Sequence, residues 1–363
     1  MRVCFISGVI SRSGGTERVG TIIANHLANR GYDIRILSFW DRGKPYFQVF
    51  DNIKVDFLLD PKTEGKLYRT NIYPIVKLHN YLKRNQIDIV IDIDTVLSYY
   101  TARAITNTKC KLLSWEHFNY WSMKLLNESK RYKAKELIKK KASALVVLTD
   151  DDRDEHIKQY DLPNSFVKTI HNPCMFENTS NYCFSNKTFL ALGRLTQQKG
   201  FSMLLESWAL VEKQLPDWNL IIAGSGELEE SLLTQKNNLG LTQVSFPGHI
   251  KDVGRLYRNA SAYVLSSVYE GFPMVILEAQ SYGLPVIAYD CKTGPKDLVL
   301  DNVNGFLVAN GDTEKLAQAM IEFAHDEERA NNMSIEALKS LDRFNIEIII
   351  DQWEALFKEI LAN

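Results

Sequence analysis

Glu270-Gly271-Phe272-Pro273-Met274-Val275-Ile276-Leu277-Glu278 carries the chain from one kind of structure into another. Just before it, Ala262–Ser266 is short and apolar, as a buried strand is. Gly271 and Pro273 cannot both sit inside a helix, so Glu270 falls in a loop. From Met274 through Leu277 to Ser281 the chain then reads as a helix that starts at that loop. Two carboxylates eight residues apart, Glu270 and Glu278, therefore frame the free N–H groups of a helix N-terminus built from Gly271, Phe272, Pro273, Met274 and Val275. Such a terminus binds phosphate, and carboxylates beside it take sugar hydroxyls. Taken alone, the pair also fits an N-terminal charge and a surface glutamate in mid-helix.

The same rhythm stands upstream. Leu190-Ala191-Leu192-Gly193-Arg194-Leu195-Thr196-Gln197-Gln198-Lys199-Gly200-Phe201 reads as a strand, a glycine turn and a helix beginning near Phe201. Arg194 and Lys199 lie in the turn. Arg binds two phosphate oxygens in a fork, and Lys acts as a point charge, so the two suit a diphosphate. The alternative is two solvated surface cations. Diphosphate and hydroxyls together describe a nucleotide sugar. Downstream, the apolar Gly283–Asp290 feeds Thr293-Gly294-Pro295-Lys296-Asp297, a further strand, Gly-Pro turn and helix.

Strand and helix signals alternate along the whole chain. Arg2–Ser7, Asp33–Trp40, Asp88–Asp92, Lys111–Ser114 and Ala144–Thr149 read as strands, with helices such as Glu17–Arg30 and Asn71–Arg84 between them. After Asn172-Pro173 the rhythm restarts with Thr188–Leu192, Asn219–Ala223, Ala262–Ser266 and Val286–Tyr289. Apolar strands without alternation imply parallel sheets covered on both faces. The expected fold class is α/β: two doubly wound, Rossmann-like domains, with ligands at the carboxyl ends of the strands and a cleft between the domains as the active site. The expected division is 1–172, 173–344 and a terminal helix 345–363, with the boundary near residues 171–187.

At 363 residues, with 45% hydrophobic and 24% charged residues, the chain has room for two cores. No stretch of 18 apolar residues suggests a membrane span. The opening Met1–Ser7 leads into Ser11-Arg12-Ser13-Gly14-Gly15 without a cleavage signature, so it reads as a first strand, not a signal peptide. Five scattered cysteines imply neither a disulfide framework nor a zinc site, and fit a reducing cytoplasm. Residues 1–170 hold 28 Lys and Arg against 19 Asp and Glu, whereas the remainder holds 15 against 25. This asymmetry points the first half at an anionic partner, a lipid surface in preference to nucleic acid. Lys130, Arg131, Lys133, Lys135, Lys139, Lys140 and Lys141 crowd one helix, whose Tyr132, Ala134, Leu137 and Ile138 give it an apolar side. The plain alternative is a solvated helix with snorkelling lysines.

Several local patterns carry chemistry with a bland counterpart. Gly14-Gly15-Thr16-Glu17-Arg18 lets a phosphate or sugar approach the backbone, or is an ordinary turn in which Thr16 caps the helix. Asp92-Ile93-Asp94 matches a metal-diphosphate string but lies in the first half, so Asp94 is read with Thr95 as an acceptor contact or a cap, and no metal or cofactor is expected. Asp150-Asp151-Asp152 suits a helix start.

Taken in order, G-R-L-x-x-x-K-G, A-G-S-G-E, E-G-F-P-x-x-x-x-E-A, G-L-P-V-I-A and G-P-x-D, with Ser13–Arg18 and Asn172-Pro173, resemble the retaining glycosyltransferases of family 4, most of all bacterial enzymes that build O-antigen, capsule and other lipid-linked surface glycans. The resemblance implies a GT-B architecture with the C-terminal helix, rich in Ile348, Ile349, Trp353, Leu356, Phe357 and Ile360, returning to the N-terminal domain. It implies Arg194, Lys199, Glu270 and His117 as the catalytic set, with His117 at the donor sugar or incoming hydroxyl and Glu116 orienting it. It places Gly14, Gly15, Gly193, Gly226, His249, Ile250 and Glu278 with the 271–275 loop around the donor, and Thr16, Asp94 and Glu116 around the acceptor. The donor implied is a UDP-linked hexose or N-acetylhexosamine. The acceptor implied is a polyprenyl-diphosphate-linked or lipid A-core glycan, met by a peripheral protein on the inner face of the cytoplasmic membrane. A glycoside hydrolase needs no Arg/Lys cradle. An epimerase of similar architecture consumes no acceptor, and a non-catalytic scaffold has no need of a full set of donor residues.

Overall fold

The apolar strands gather into two parallel sheets. The computed structural model describes residues 1–60, 72–122, 129–176 and 182–362. Asn71, expected at the start of a helix, and 177–181 of the expected linker lie outside them. Two compact units emerge: Met1–Pro173 with Ile346–Asn363, and Cys174–Asn345.

In the first unit, β1 (Arg2–Ser7), β2 (Asp33–Ser38), β3 (Lys54–Phe57), β4 (Ile89–Asp92), β5 (Lys111–Trp115), β6 (Ala144–Val147) and β7 (Val167–Thr169) form a sheet of order β3-β2-β1-β4-β5-β6-β7. Every pairing is parallel; Val3, for instance, is flanked by Ile34 and Ile89. Helices cover it, because β1, β4 and β6 are buried on both faces and need apolar partners above and below. The C-terminal helix Ile346–Ala362 belongs to this unit. Its Ile349, Ile350, Trp353, Leu356, Phe357 and Ile360 are buried, while Ile348 points outward. Trp353 meets Trp115 edge-on at 4.9 Å, and Phe357 meets Tyr32 at 5.9 Å. Each such buried side chain contributes roughly 1.5–3 kcal/mol. On the helix surface, Arg30 pairs with Asp351 at 3.0 Å and Lys168 with Glu359 at 2.7 Å.

In the second unit, β8 (Thr188–Leu192), β9 (Asn219–Ala223), β10 (Val244–Ser245), β11 (Ala262–Leu265), β12 (Val286–Asp290) and β13 (Gly305–Ala309) run β10-β9-β8-β11-β12-β13. Phe189, Trp208, Trp218 and Phe323 lie at the centre of its core. In each sheet the strand order reverses once, between β1 and β4 and between β8 and β11. A crevice opens at such a switch point because neighbouring connections leave in opposite directions.

Candidate active site

The loops after β8 and β11 meet at the second switch point. Lys199 ends the first and Glu270 lies in the second, and their side chains pair at 2.6 Å, both largely sequestered. The two groups expected to grip different parts of a ligand thus also grip each other. Gly193 allows this: a Cβ there would come within 3.1–3.2 Å of the Lys199 side chain, which lies across it. Gly200, at φ +62°, closes the junction, since a Cβ would strike the Ser266 carbonyl oxygen at 2.1 Å. The Ser266 hydroxyl donates to the Lys199 carbonyl at 2.8 Å, and the Val268 amide to the Gln198 carbonyl at 2.8 Å. Glu270 is fixed from the other side, where its amide donates to the Lys292 carbonyl and Thr293 donates to its carbonyl.

The helix Met274–Ser281 begins at Pro273. Its Met274 and Val275 amides have no intrahelical acceptor, whereas the Ile276 amide donates to the Pro273 carbonyl at 2.9 Å. Phe272 is buried and meets Phe344 edge-on at 5.9 Å, so that side chain anchors the loop and leaves its backbone to face a ligand. Glu278 accepts a hydrogen bond from the Tyr257 hydroxyl at 3.2 Å, with Tyr257 stacked on Tyr282.

Beside this junction lies a cavity of about 200 Å³ lined by Leu192, Gly193, Arg194, Ser225, His249 and Ile250, closed below by Val253 and Leu256. Arg194 and His249 are exposed at its edge. Gly224 and Gly226 serve backbone packing: a Cβ would strike the Gly193 carbonyl oxygen at 1.8 Å or the Leu195 carbonyl oxygen at 2.4 Å. Gly226, expected at the donor, is therefore a glycine because two loops touch there.

In the first unit the equivalent crevice is a cavity of about 140 Å³ lined by residues including Gly8, Arg12, Thr16, Glu17, Trp40 and Asp94. The helix Gly15–Asn29 is capped by Gly14, not by Thr16, and no side chain closes the cap. The Glu17 carboxylate lies over Gly14, where a Cβ would meet its Oε2 at 2.2 Å. Gly14 is thus occupied by its own chain, and a carboxylate there disfavours phosphate. Gly15 has open space above it.

Asp94 caps the turn Thr95–Leu97 by accepting from the Val96 amide at 3.0 Å, and Arg131 holds both of its oxygens at 2.6 and 3.2 Å. Asp92 is buried and accepts from Ser98 at 2.6 Å and Thr101 at 2.8 Å. Burial raises its pKa to about 7 against those hydrogen bonds, with the Asp94 charge also acting upward. The two acids of the D-x-D string are therefore engaged separately.

Glu116 corrects an expectation. It is fully buried, and its hydrogen-bond and ion-pair partners among the described residues do not include His117. Its oxygens meet Thr95 at 2.6 Å, the Phe118 amide at 3.0 Å, Lys135 at 2.7 Å and Arg131 at 3.3 Å. Burial would raise its pKa, but Lys135 and Arg131 with these hydrogen bonds hold it well below the usual range. His117 stacks against Trp115 at 4.4 Å, with Nε2 shut from solvent and lacking a hydrogen-bond partner. Burial drives its pKa down to about 4.

The basic helix Ser129–Lys141 also differs from expectation. Arg131 and Lys135 turn inward with Ala134 and Ile138, the i, i+3, i+4, i+7 stripe of a buried face. Lys130, Lys133, Lys139, Lys140 and Lys141 stay exposed. The acidic triplet Asp150–Asp152 does open a helix, capped by Thr149, as its charge suits.

Two doubly wound parallel-sheet units, the second with a cation–carboxylate pair beside a helix N-terminus at its switch point, define a Rossmann-like α/β class of protein. The model for glycosyl transferases group 1 matches residues 184–340, and that for glycosyltransferase family 4 matches residues 13–174. An uncharacterized glycosyltransferase of Haemophilus influenzae is 32% identical over 351 residues, 96% of this chain and 97% of that one. The Campylobacter jejuni enzyme named GalNAc-alpha-(1->4)-GalNAc-alpha-(1->3)-diNAcBac-PP-undecaprenol alpha-1,4-N-acetyl-D-galactosaminyltransferase is 27% identical over 371 residues, 99% of each chain. The solved structure of the lipopolysaccharide outer core galactosyltransferase WaaB, in its apo form, shares the fold with a TM-score of 0.79 at 22% identity, over 99% of this chain and 100% of that one. The chain belongs to the family 4 glycosyltransferases and has their GT-B fold.

Proposed function

We propose that this glycosyltransferase moves a hexose or N-acetylhexosamine, with retention of anomeric configuration, from a UDP-sugar to a lipid-linked oligosaccharide in bacterial surface-glycan biosynthesis. The observation that carries the donor side is the Lys199–Glu270 pair fixed at the β8/β11 switch point beside a largely apolar cavity. An ammonium has three N–H donors. One on Lys199 serves Glu270, and the others remain for a diphosphate. Arg194 and the Met274 and Val275 amides complete the cradle for the charge that grows on the leaving diphosphate. Glu270 then takes donor-sugar hydroxyls and Glu278 those of ribose, while the 192–256 cavity takes the base. No metal enters this scheme, in which the leaving phosphate oxygen receives the acceptor proton on the same face.

The acceptor class rests on relatives such as the undecaprenol-linked transferase of Campylobacter jejuni. No helix among the described residues is long and apolar enough to cross a membrane. The exposed lysines of Ser129–Lys141 supply the charge for reversible attachment to an anionic leaflet, at about 1 kcal/mol each near the surface. The test is UDP release from a panel of UDP-sugars in excess chelator. Lys199→Ala is expected to slow release by roughly 10²–10³ while the product of the wild type keeps the donor's anomeric configuration by NMR. A folded Lys199→Ala variant with near-wild-type rates would sink the proposal.

A further inference from the structure

We propose that Phe344 is a positioning residue: acting through Phe272, it holds the 270–275 loop so that Glu270 stays in place against Lys199 and the donor. This role deepens the transfer reading above and rests on it for the donor. Phe344 closes the turn Asp342–Phe344 at the end of the second unit and is fully buried. Its ring meets that of Phe272 at 5.9 Å and 66°, an edge-to-face contact. Phe272 stands two residues from Glu270, so the side chain that Phe344 fixes belongs to the loop that carries the carboxylate.

The loop is held at its backbone as well. The Thr293 hydroxyl donates to the Glu270 and Gly271 carbonyls at 3.2 and 3.1 Å. Gly294, at φ +94°, lies so close that a Cβ would strike Pro273 Cδ at 2.6 Å and stand 3.3 Å from Phe272 Cα. These two holds are themselves joined. The Arg343 guanidinium lies 4.6 Å over the Phe344 ring and donates to the carbonyl of Asp297, in the short helix Pro295–Leu298 that follows Thr293 and Gly294. Turn, short helix and loop thus form one closed set of contacts. Interiors packed in this way transmit a displacement instead of absorbing it. A reacting group misplaced by about 1 Å can lose on the order of 10²-fold in rate, so Phe344 bears on catalysis without touching the substrate.

Phe344 has a further tie. Its carbonyl accepts from the Cys174 amide at 2.8 Å. The chain passes between the two units at Pro173–Cys174 and at Asn345–Ile346. One residue therefore links the segments at both crossings to the donor loop.

The test follows UDP release by the full chain together with amide hydrogen exchange by mass spectrometry. Phe344→Leu should lower kcat about tenfold while KM for the UDP-sugar stays within about twofold, as for a group whose effect is confined to the transition state. Exchange of the 270–276 amides should quicken about tenfold, while Phe201–Gln214 keeps its protection. Phe323→Leu, which thins the same unit's core elsewhere, is expected to lower the melting temperature comparably and to move neither readout. Phe272→Leu combined with Phe344→Leu should be no slower than the slower single variant, because both changes remove one contact. Should Phe344→Leu fail to fold, Arg343→Ala, at the exposed end of the brace, is expected to move kcat and exchange about threefold each. An unchanged kcat or unchanged exchange in the folded variant, or losses that multiply in the double variant, overturn the positioning role. A wild type that releases no UDP from any UDP-sugar sinks the transfer reading, and exchange alone then decides whether Phe344 holds the loop.

Discussion

Glu116 and His117 are neighbours in sequence and opposites in the fold. Glu116 is held ionised by two inward cations, whereas His117 is held neutral by burial. For the histidine, desolvation disfavours the imidazolium and lowers the pKa from 6.5 to about 4; the Glu116 charge acts upward and the Arg131 charge downward. Between those values the unfolded chain binds more protons than the folded one, so this group makes stability fall as pH drops from about 6.5 towards 4. The ring shifts of His117 should stay flat from about pH 8 to pH 5 in an NMR titration. A midpoint near its ordinary value would show the ring to be solvated. The family resemblance places His117 at a sugar hydroxyl, and a neutral imidazole offers one donor and one acceptor nitrogen for such a contact. The sequence marked His117 as a candidate, but not its protonation state, which depends on Trp115 and on the buried charges around it. The sequence likewise marked Lys199 and Glu270 without showing that they touch, because 71 residues separate them.

Among elements, the helix Ser129–Lys141 divides its cations by face. Arg131 joins Asp94 and Glu116 in the interior, and breaking such a buried pair costs about 3–5 kcal/mol. Arg131→Ala should therefore lower the melting temperature by several degrees. Replacing Lys133, Lys140 and Lys141 by Glu should leave it nearly unchanged, since exposed sites usually shift stability by less than about 0.5 kcal/mol. That triple variant should instead lose sedimentation with anionic vesicles at low salt. Equal vesicle binding by variant and wild type would leave those lysines as a solvated face. A run of basic residues reads as one patch in sequence; only the packing of the helix against Thr95–Leu97 and Ser98–Ala104 decides which cations turn inward. Strands show a similar limit. β3, β7 and β13 were not read from sequence, and all three are sheet edges. Lys54–Phe57 has no fully buried residue, and Val167–Thr169 is three residues long. Lys54–Phe57 and Val167–Thr169 lack the continuous apolar run by which central strands announce themselves.

For the whole molecule, the first unit is discontinuous and the second is not. Cys174–Asn345 holds its own core and the Lys199–Glu270 junction, so expressed alone it should fold and bind UDP by calorimetry. Deleting Ile346–Asn363 should unfold the first unit, since Trp115 loses Trp353 and the helix's buried stripe, while the second unit keeps its own transition in a thermal scan. A truncated chain that melts like the full one would show the helix to be an accessory. The two-sheet α/β class and the central strands followed from sequence alone, because short apolar runs alternating with helices have few solutions. So did the helix starts at Phe201 and Met274, where glycine and proline leave the backbone little choice. Tertiary structure alone decided that Lys199 pairs with Glu270, that Gly226 serves packing, that Glu116 is buried among cations and that Phe344 meets Phe272. Each of these depends on groups from separate elements meeting at a particular distance, and local chain preference carries no information about that distance.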